Sequence, residues 1–357
     1  LFNDFAMSYN ANVNVSGGTK FVKYFASADY VNEGDLFKVY PNNRGYQSGY
    51  GYDRVNVRSN LDFKITNTTT LRVNLAGSSA RRTAPTMNST NDIWQIQQQW
   101  AGAYNIAPDV FLPVYSDGAW GYYPQTSNVT NSAQNLSTGG IFETTTNRIN
   151  TDFTLEQDLG FITKGLSLRG IISWDNQFVE SGRGVSDMYN DPQFRWIDPL
   201  TGQEYLKSPF IQYHGFDYSQ PIKWTTGGGS VNNWSTMRNL YYQGQINWMR
   251  TFKKHDVSAM GLFSRSENAT GSMIPYYRED WAFRLTYSWN NRYFAEYNGA
   301  YNGSEKFADV NRFAFFQSGA VGWMISEEPF MKWLREKRYV EVLKLRASYG
   351  QIGDDNV

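Results

Sequence analysis

Apolar and polar positions alternate along most of this chain with a period of two. From Phe5 to Val15 one phase reads Phe5, Met7, Tyr9, Ala11, Val13 and Val15, and the other Ser8, Asn10, Asn12 and Asn14. From Asp53 to Thr66, Val55, Val57, Leu61, Phe63 and Ile65 alternate with Arg54, Asn56, Arg58, Asn60, Asp62 and Lys64. From Ile149 to Phe161, Ile149, Phe153, Leu155, Leu159 and Phe161 face Asn150, Asp152, Thr154, Glu156 and Asp158. Successive side chains of a strand point to opposite faces, so these segments predict two-faced strands. Similar segments over Phe21–Val31, Leu71–Ser79, Leu166–Phe178, Arg238–Phe252, Val257–Arg265, Trp281–Trp289, Arg292–Tyr301, Phe313–Ile325 and Val342–Gly350 bring the expectation to about twelve strands.

The connections come in two lengths that alternate. Short polar turns fall at Ser16–Lys20, Thr66–Thr70, Gly160–Gly165, Lys253–Asp256 and Asn290–Asn291, rich in the residues hairpin turns require. Between them run long connections at about 32–51, 80–144 and 180–235. A compact soluble domain rarely holds structureless loops of that length. Short turns at one end and long loops at the other are the layout of an outer-membrane β-barrel, and strands of ~9–11 residues suffice to cross its hydrocarbon layer at a tilt. Rings near the turn ends (Phe63, Phe161, Trp248, Phe252, Trp289, Tyr293 and Trp323) fit an aromatic girdle. The apolar phase would then face lipid and the charged phase a wet lumen. The segment Glu327-Glu328-Pro329-Phe330-Met331-Lys332-Trp333-Leu334-Arg335, at a turn end, predicts a short capped helix that starts at the acids.

Composition sharpens this picture. Aromatic residues make up 17% of the 357 residues and charged ones only 18%, against ~25% charged in ordinary soluble domains. Lys and Arg balance Asp and Glu at 33 each, which argues against a nucleic-acid partner. Without cysteine, disulfides, cysteine-ligated zinc and thiol catalysis are excluded, and two histidines cannot make a multi-histidine metal site. Mean hydropathy of −0.56 and the lack of an apolar run near ~18 residues exclude a transmembrane helix. Nothing before Asp4 reads as a signal peptide. Length alone would predict two domains, but composition does not shift along the chain, so one continuous barrel domain over 1–357 is expected.

Catalytic chemistry is hard to assemble. No G-x-S-x-G, Walker A, H-E-x-x-H or G-x-G-x-x-G pattern occurs. Asp152, Glu156 and Asp158 share a strand face, where acids lining a wet lumen need no further reason. Gly227-Gly228-Gly229-Ser230 reads as hinge or turn, Asp354-Asp355 as a turn, and His214 and His255 as surface residues. Asn-x-Ser/Thr triplets such as Asn135-Leu136-Ser137 read as polar loop composition. No catalytic residue, metal or cofactor is expected.

The long loops are rich in rings. Trp94, Trp100, Tyr104 and Trp120 fall in the 80–144 connection, and Trp196, Tyr213, His214, Trp224 and Trp234 in the 180–235 connection. Such rings either pack the loops on one another, form a platform for a ligand, or meet a protein partner. Thr90 to Gln99 predicts a capped helical turn.

From Arg284-Leu285-Thr286-Tyr287-Ser288-Trp289-Asn290-Asn291-Arg292-Tyr293 through Asn302-Gly303-Ser304-Glu305-Lys306-Phe307 the sequence resembles the SusC/RagA family of TonB-dependent outer-membrane transporters. The likeness continues through Phe316-Gln317-Ser318, Gly322-Trp323-Met324-Ile325-Ser326-Glu327-Glu328-Pro329-Phe330 and Leu343-Lys344-Leu345-Arg346-Ala347-Ser348-Tyr349-Gly350. Gln317 stands where the family usually has Pro. Ala107-Pro108 with Leu112-Pro113-Val114-Tyr115 and Asp117-Gly118 looks like the family's first long extracellular loop.

The resemblance implies an all-β transmembrane barrel of roughly twenty-two strands, of which this chain would be an internal part without plug or TonB box. It implies a bacterial outer-membrane location in contact with lipid. It also implies import driven through TonB and a SusD-like surface lipoprotein that delivers an oligosaccharide or, in some members, a peptide. Inward-facing candidates for the solute path are Arg54, Arg58, Asp62, Asp152, Glu156, Asp158, Arg169, Asp175, Arg284 and Glu296, with Arg58, Asp152, Glu156 and Arg284 as candidate ligand contacts. The rivals are a secreted carbohydrate-binding or glycan-hydrolysing β-protein and a passive porin.

Overall fold

A computed structural model describes residues 1–85, 92–125, 129–187, 192–207 and 224–353, with the backbone alone for 92–95. Twelve strands run in chain order through one antiparallel sheet. They are β1 (Ser8–Gly18), β2 (Val22–Glu33), β3 (Gly51–Lys64), β4 (Thr69–Ala84), β5 (Ile141–Asp158), β6 (Leu166–Ser186), β7 (Met237–Phe252), β8 (His255–Thr270), β9 (Tyr276–Trp289), β10 (Tyr293–Ser304), β11 (Phe313–Met324) and β12 (Lys344–Gly350). Each hydrogen-bonds to its sequence neighbours, with β1 and β12 at the two edges. All twelve predicted strands are present.

Register carries the alternation across the sheet. Val57 lies opposite Ala28 and Gly77, Phe153 opposite Val73 and Ile172, and Leu285 opposite Ala259 and Tyr297. The other face pairs Asp62 with Arg72, Arg169 with Glu156, and Arg284 with Asn298. A slip of one residue anywhere would exchange the faces. All ten predicted inward charges share one face.

The turns have the chemistry they need. Asn290 and Asn291 both adopt positive φ, at 50° and 55°, as a tight hairpin between right-twisted strands demands. Gly165 has φ 84°, and a Cβ there would collide with the Met249 carbonyl; only glycine fits.

Several strands overshoot their predicted outer ends. β4 runs to Ala84 instead of Ser79, β8 to Thr270 instead of Arg265, and β6, at 21 residues, to Ser186 instead of Phe178. In these extensions, such as Ser79-Ala80-Arg81-Arg82-Thr83, polar residues occupy both faces, so the apolar rhythm stops while the hydrogen-bond ladder continues. The short strands Thr225–Gly227 and Ser230–Val231 pair onto the same part of β6, so the triglycine segment extends the sheet rather than forming a free hinge.

Burial is concentrated outside the sheet. Leu136, Ala119, Trp120, Ala133, Trp196 and Phe37 are all buried, and all lie in the long connections. The loops thus have their own small core and are not structureless. They contain α1 (Asp92–Tyr104), which overlaps the helical turn expected over Thr90 to Gln99, with Thr90 and any cap outside the described residues, and α2 (Ser132–Thr138). They also contain a three-stranded sheet of Trp120–Gly121, Phe194–Ile197 and Glu204–Lys207. The Asn135-Leu136-Ser137 triplet, expected as polar loop, is inside α2, with Leu136 and Ser137 fully buried.

At the opposite end, the connection between β11 and β12 differs from the single capped helix expected. It makes two 3₁₀ turns, Ile325–Glu327 and Pro329–Met331, before a short α3 (Lys332–Glu336). Glu328 does not start that helix. It accepts hydrogen bonds from Tyr293 Oη at 2.7 Å and Trp323 Nε1 at 3.0 Å, with Arg292 at 3.5 Å. These bonds hold the Glu328 carboxyl below the usual carboxylate range.

Candidate functional site

Three connections meet above the outer strand ends and are tied together by buried polar contacts. From 34–50 comes Arg44, whose Nε and Nη2 each lie 2.6 Å from a different oxygen of Asp187, at the top of β6. The Asp187 side chain is 1% exposed. Tyr46 Oη donates to the same carboxylate at 2.7 Å, and Trp224 Nε1 donates to the Arg44 carbonyl at 2.7 Å. Burial first, and the bond to Asp187 second, push the Tyr46 hydroxyl well above the ordinary phenol range. The 80–144 connection joins through α2, whose Ser137 Oγ accepts from the Tyr40 amide at 2.9 Å.

A second knot binds the small sheet to residues 110–123. Trp196 Nε1 donates to the Val110 carbonyl at 2.8 Å, and its ring packs against Tyr123 and Tyr205. Arg195 bridges Asp117 at 2.7 Å and Glu204 at 2.6 Å.

Beside the first knot lies a cleft of about 680 Å³, between the outer ends of β2 to β4 and helix α1. Phe37, Tyr50 and Trp100 supply apolar walls, and Glu33, Arg54 and Arg82 supply charge. Trp100 belongs to a ring cluster, 4.6 Å from Phe2, 6.1 Å from Phe37 and 6.1 Å from Tyr104, centroid to centroid. Arg54 Nε is buried without a protein hydrogen-bond partner among the described residues. Asp35 is fixed by the Tyr50 and Phe37 amides at 2.7 and 2.8 Å, and burial pushes its carboxyl upward.

Below the cleft the inner wall carries charges that largely neutralise one another. Arg72 lies 3.0 Å from Glu156 and 3.9 Å from Asp62, and Glu156 lies 3.7 Å from Arg169. This makes a four-member chain across β3 to β6. A polar ladder continues it on β7, where Tyr241, Gln243, Gln245 and Asn247 are linked by bonds of 2.6 to 3.1 Å. Farther round, Arg284 and Glu296 pair at 3.0 Å in a recess of about 420 Å³ shared with Lys344 and Arg346.

The structure separates the sequence candidates into groups. Trp100 lines the cleft, with Tyr104 beside it and 79% exposed. Trp234 is 87% exposed. Trp120, Trp196 and Trp224 are engaged in loop packing, and the first two are buried. Arg58, Asp152, Glu156 and Arg284 share the charged face of the sheet, the one expected to line the lumen. Trp94 lies in α1 with its side chain outside the described residues, as are Tyr213, His214 and Asp354-Asp355. Sequence reading missed Arg44, Tyr46, Asp187 and Arg195, whose partners are mostly remote in the chain. Only the Asn131–Gln134 spacing ahead of α2, a cap followed by Gln three residues on, offered a local signal.

No family model matches the chain. It is 24% identical over 391 aligned positions to TonB-dependent receptor P26 of Formosa agariphila, covering 98% of this chain and 33% of that protein. Over 121 positions it is 33% identical to TonB-dependent receptor SusC of Bacteroides thetaiotaomicron, covering 34% of this chain and 11% of that protein. Its fold superposes on the RagAB peptide importer in the closed-closed state with a TM-score of 0.57 and 14% identity, over 96% of this chain and 36% of that one. The chain spans about a third of the length of the curated relatives it matches from end to end. In strand order, outer loops and sequence the chain is thus similar to a segment of the barrel wall of TonB-dependent receptors of the bacterial outer membrane, SusC among them.

Proposed function

We propose that the receptor carrying this chain imports an oligosaccharide across the outer membrane, energised through TonB and supplied by a SusD-like surface lipoprotein, without covalent change to the solute. The observation that carries this reading is the pairing of charge along the inner wall. Asp62, Arg72, Glu156 and Arg169 neutralise one another, as do Arg284 and Glu296, so along these pairs the wall offers hydrogen bonds with little net charge. That suits a neutral polyhydroxyl solute better than a strongly charged one. In the cleft, the Trp100 ring and the Arg54 side chain place an apolar face beside a cationic group, a mixed lining of the kind that binds small polar solutes.

Uptake of labelled oligosaccharides by intact cells tests the reading. Uptake should vanish without TonB or on collapse of the proton gradient, and Trp100→Ala with Arg54→Gln should weaken it. Uptake that persists without TonB would make the barrel a passive pore. A second reading, peptide import, has in its favour the superposition on a structure described as a peptide importer. Mass analysis of solute retained by the purified receptor separates the two.

A further inference from the structure

The lipid-facing side of β7 to β12 is not smooth. A groove of about 720 Å³ crosses it near the turn ends. Its floor is small, with Ala259, Ala295, Gly319 and Ala347, and Trp248, Tyr297 and Tyr349 rise from it as walls. The groove follows a cross-strand row that pairing fixes: Arg250 opposite Val257, then Tyr287, Ala295, Val321 and Ala347. Neither this row nor the next, from Trp248 to Tyr349, contains an acid.

Cations gather at the β7 end of the row. Arg250 lies on the lipid face with its guanidinium 4.8 Å from the Phe252 ring centre, and Lys253 and Lys254 form the adjoining turn. None of the three has an ion-pair partner among the described residues. The nearest acid, Asp256, belongs to the opposite face and is bonded by Thr251 Oγ1 at 2.6 Å and Ser288 Oγ at 3.2 Å. We propose that this groove and its basic end form a binding site for an anionic phospholipid of the inner leaflet, with the phosphate at Arg250, Lys253 and Lys254 and one acyl chain along the row.

The dimensions support the assignment. Six strands at a ~4.8 Å spacing make the row roughly 24 Å long. The row lies two residues inward of the cross-strand row of Phe252, Trp289, Tyr293 and Trp323 on each strand. A chain lying in the groove therefore stays just inside the aromatic girdle, next to headgroup level. Basic residues at the interface attract anionic headgroups, and a cation already stacked on an aromatic ring is held in place for a phosphate. The site rests on the lipid-facing position of the apolar phase and does not depend on which solute is imported.

Native mass spectrometry of the whole receptor, released from mild detergent with equal amounts of dioleoyl phosphatidylglycerol and dioleoyl phosphatidylethanolamine, tests it. The unaltered receptor should retain phosphatidylglycerol at least tenfold over phosphatidylethanolamine. Joint replacement Arg250→Gln, Lys253→Gln and Lys254→Gln should abolish the preference. Gly319→Leu should reduce retained lipid of either class; a Cβ at Gly319 meets only the Glu296 carbonyl oxygen, at 3.7 Å, so the barrel tolerates the change. Heat-modifiable gel migration verifies folding of each variant. Equal retention of the two lipids, no retained lipid, or an unchanged preference in the triple variant would overturn the proposal. So would a Gly319→Leu receptor that keeps its lipid but separates from a second copy, since the groove would then be a contact between barrels.

Discussion

At the scale of single residues, the decisive interactions are acids that collect several donors. Asp187 is nearly inaccessible and Arg44 is 13% exposed, so Asp187→Ala removes one partner of a buried ion pair at a cost of about 3–5 kcal/mol. Hydrogen exchange should then accelerate through 34–50 and 132–140 while the strands stay protected. Glu328 does the equivalent work at the turn end. Its folded value lies below the ordinary 4.5, so its contribution is complete above that value and is lost as pH falls through the lowered one. Exchange of 325–343 should rise on acidification, and Glu328→Gln should flatten that dependence. None of this was legible locally. Glu328 reads as the first residue of a helix because its partners Arg292 and Tyr293 stand thirty-six and thirty-five positions away, and Arg44 meets Asp187 across 143.

At the scale of elements, strands were legible because each must present one face to lipid and one to water, and that demand writes itself into every second residue. Their outer ends were not, because above the bilayer both faces are wet and the pattern carries no information about where the ladder stops. The loop helices divide in the same way. α1 is long enough for its rings and glutamines to repeat, whereas α2 has seven residues and is defined by its cap. Asn131 Oδ1 accepts from the Gln134 amide at 3.1 Å, and its Nδ2 donates to the Pro113 and Gly121 carbonyls at 2.7 and 3.0 Å. Asn131→Ala should cost about 1 kcal/mol through the cap alone and more through the two lost carbonyl contacts. Proteolysis between 110 and 140 on intact cells would reveal the loosening.

At the scale of the whole molecule, stability and the proposed transport belong to different surfaces. The inner-wall ion pairs join side chains that are 36–48% exposed, where a pair contributes less than ~1 kcal/mol. Arg72→Gln should therefore leave heat-modifiable migration unchanged while uncovering net negative charge from Asp62 and Glu156. Single-channel recordings should then show a shift toward cation selectivity. A last consequence follows from β6. Its 21 residues make a ribbon roughly 70 Å long at ~3.3 Å per residue. Inclined by ~40°, that ribbon stands roughly 53 Å along the membrane normal, about twice the height of the ~25 Å apolar band. The entrance is thus raised on a rigid parapet well clear of the lipid headgroups, among the sugar chains that coat a bacterial surface. Whatever reaches Trp100 must first be sieved by that coat, so cells with shortened surface polysaccharide should admit bulkier solutes to the same receptor.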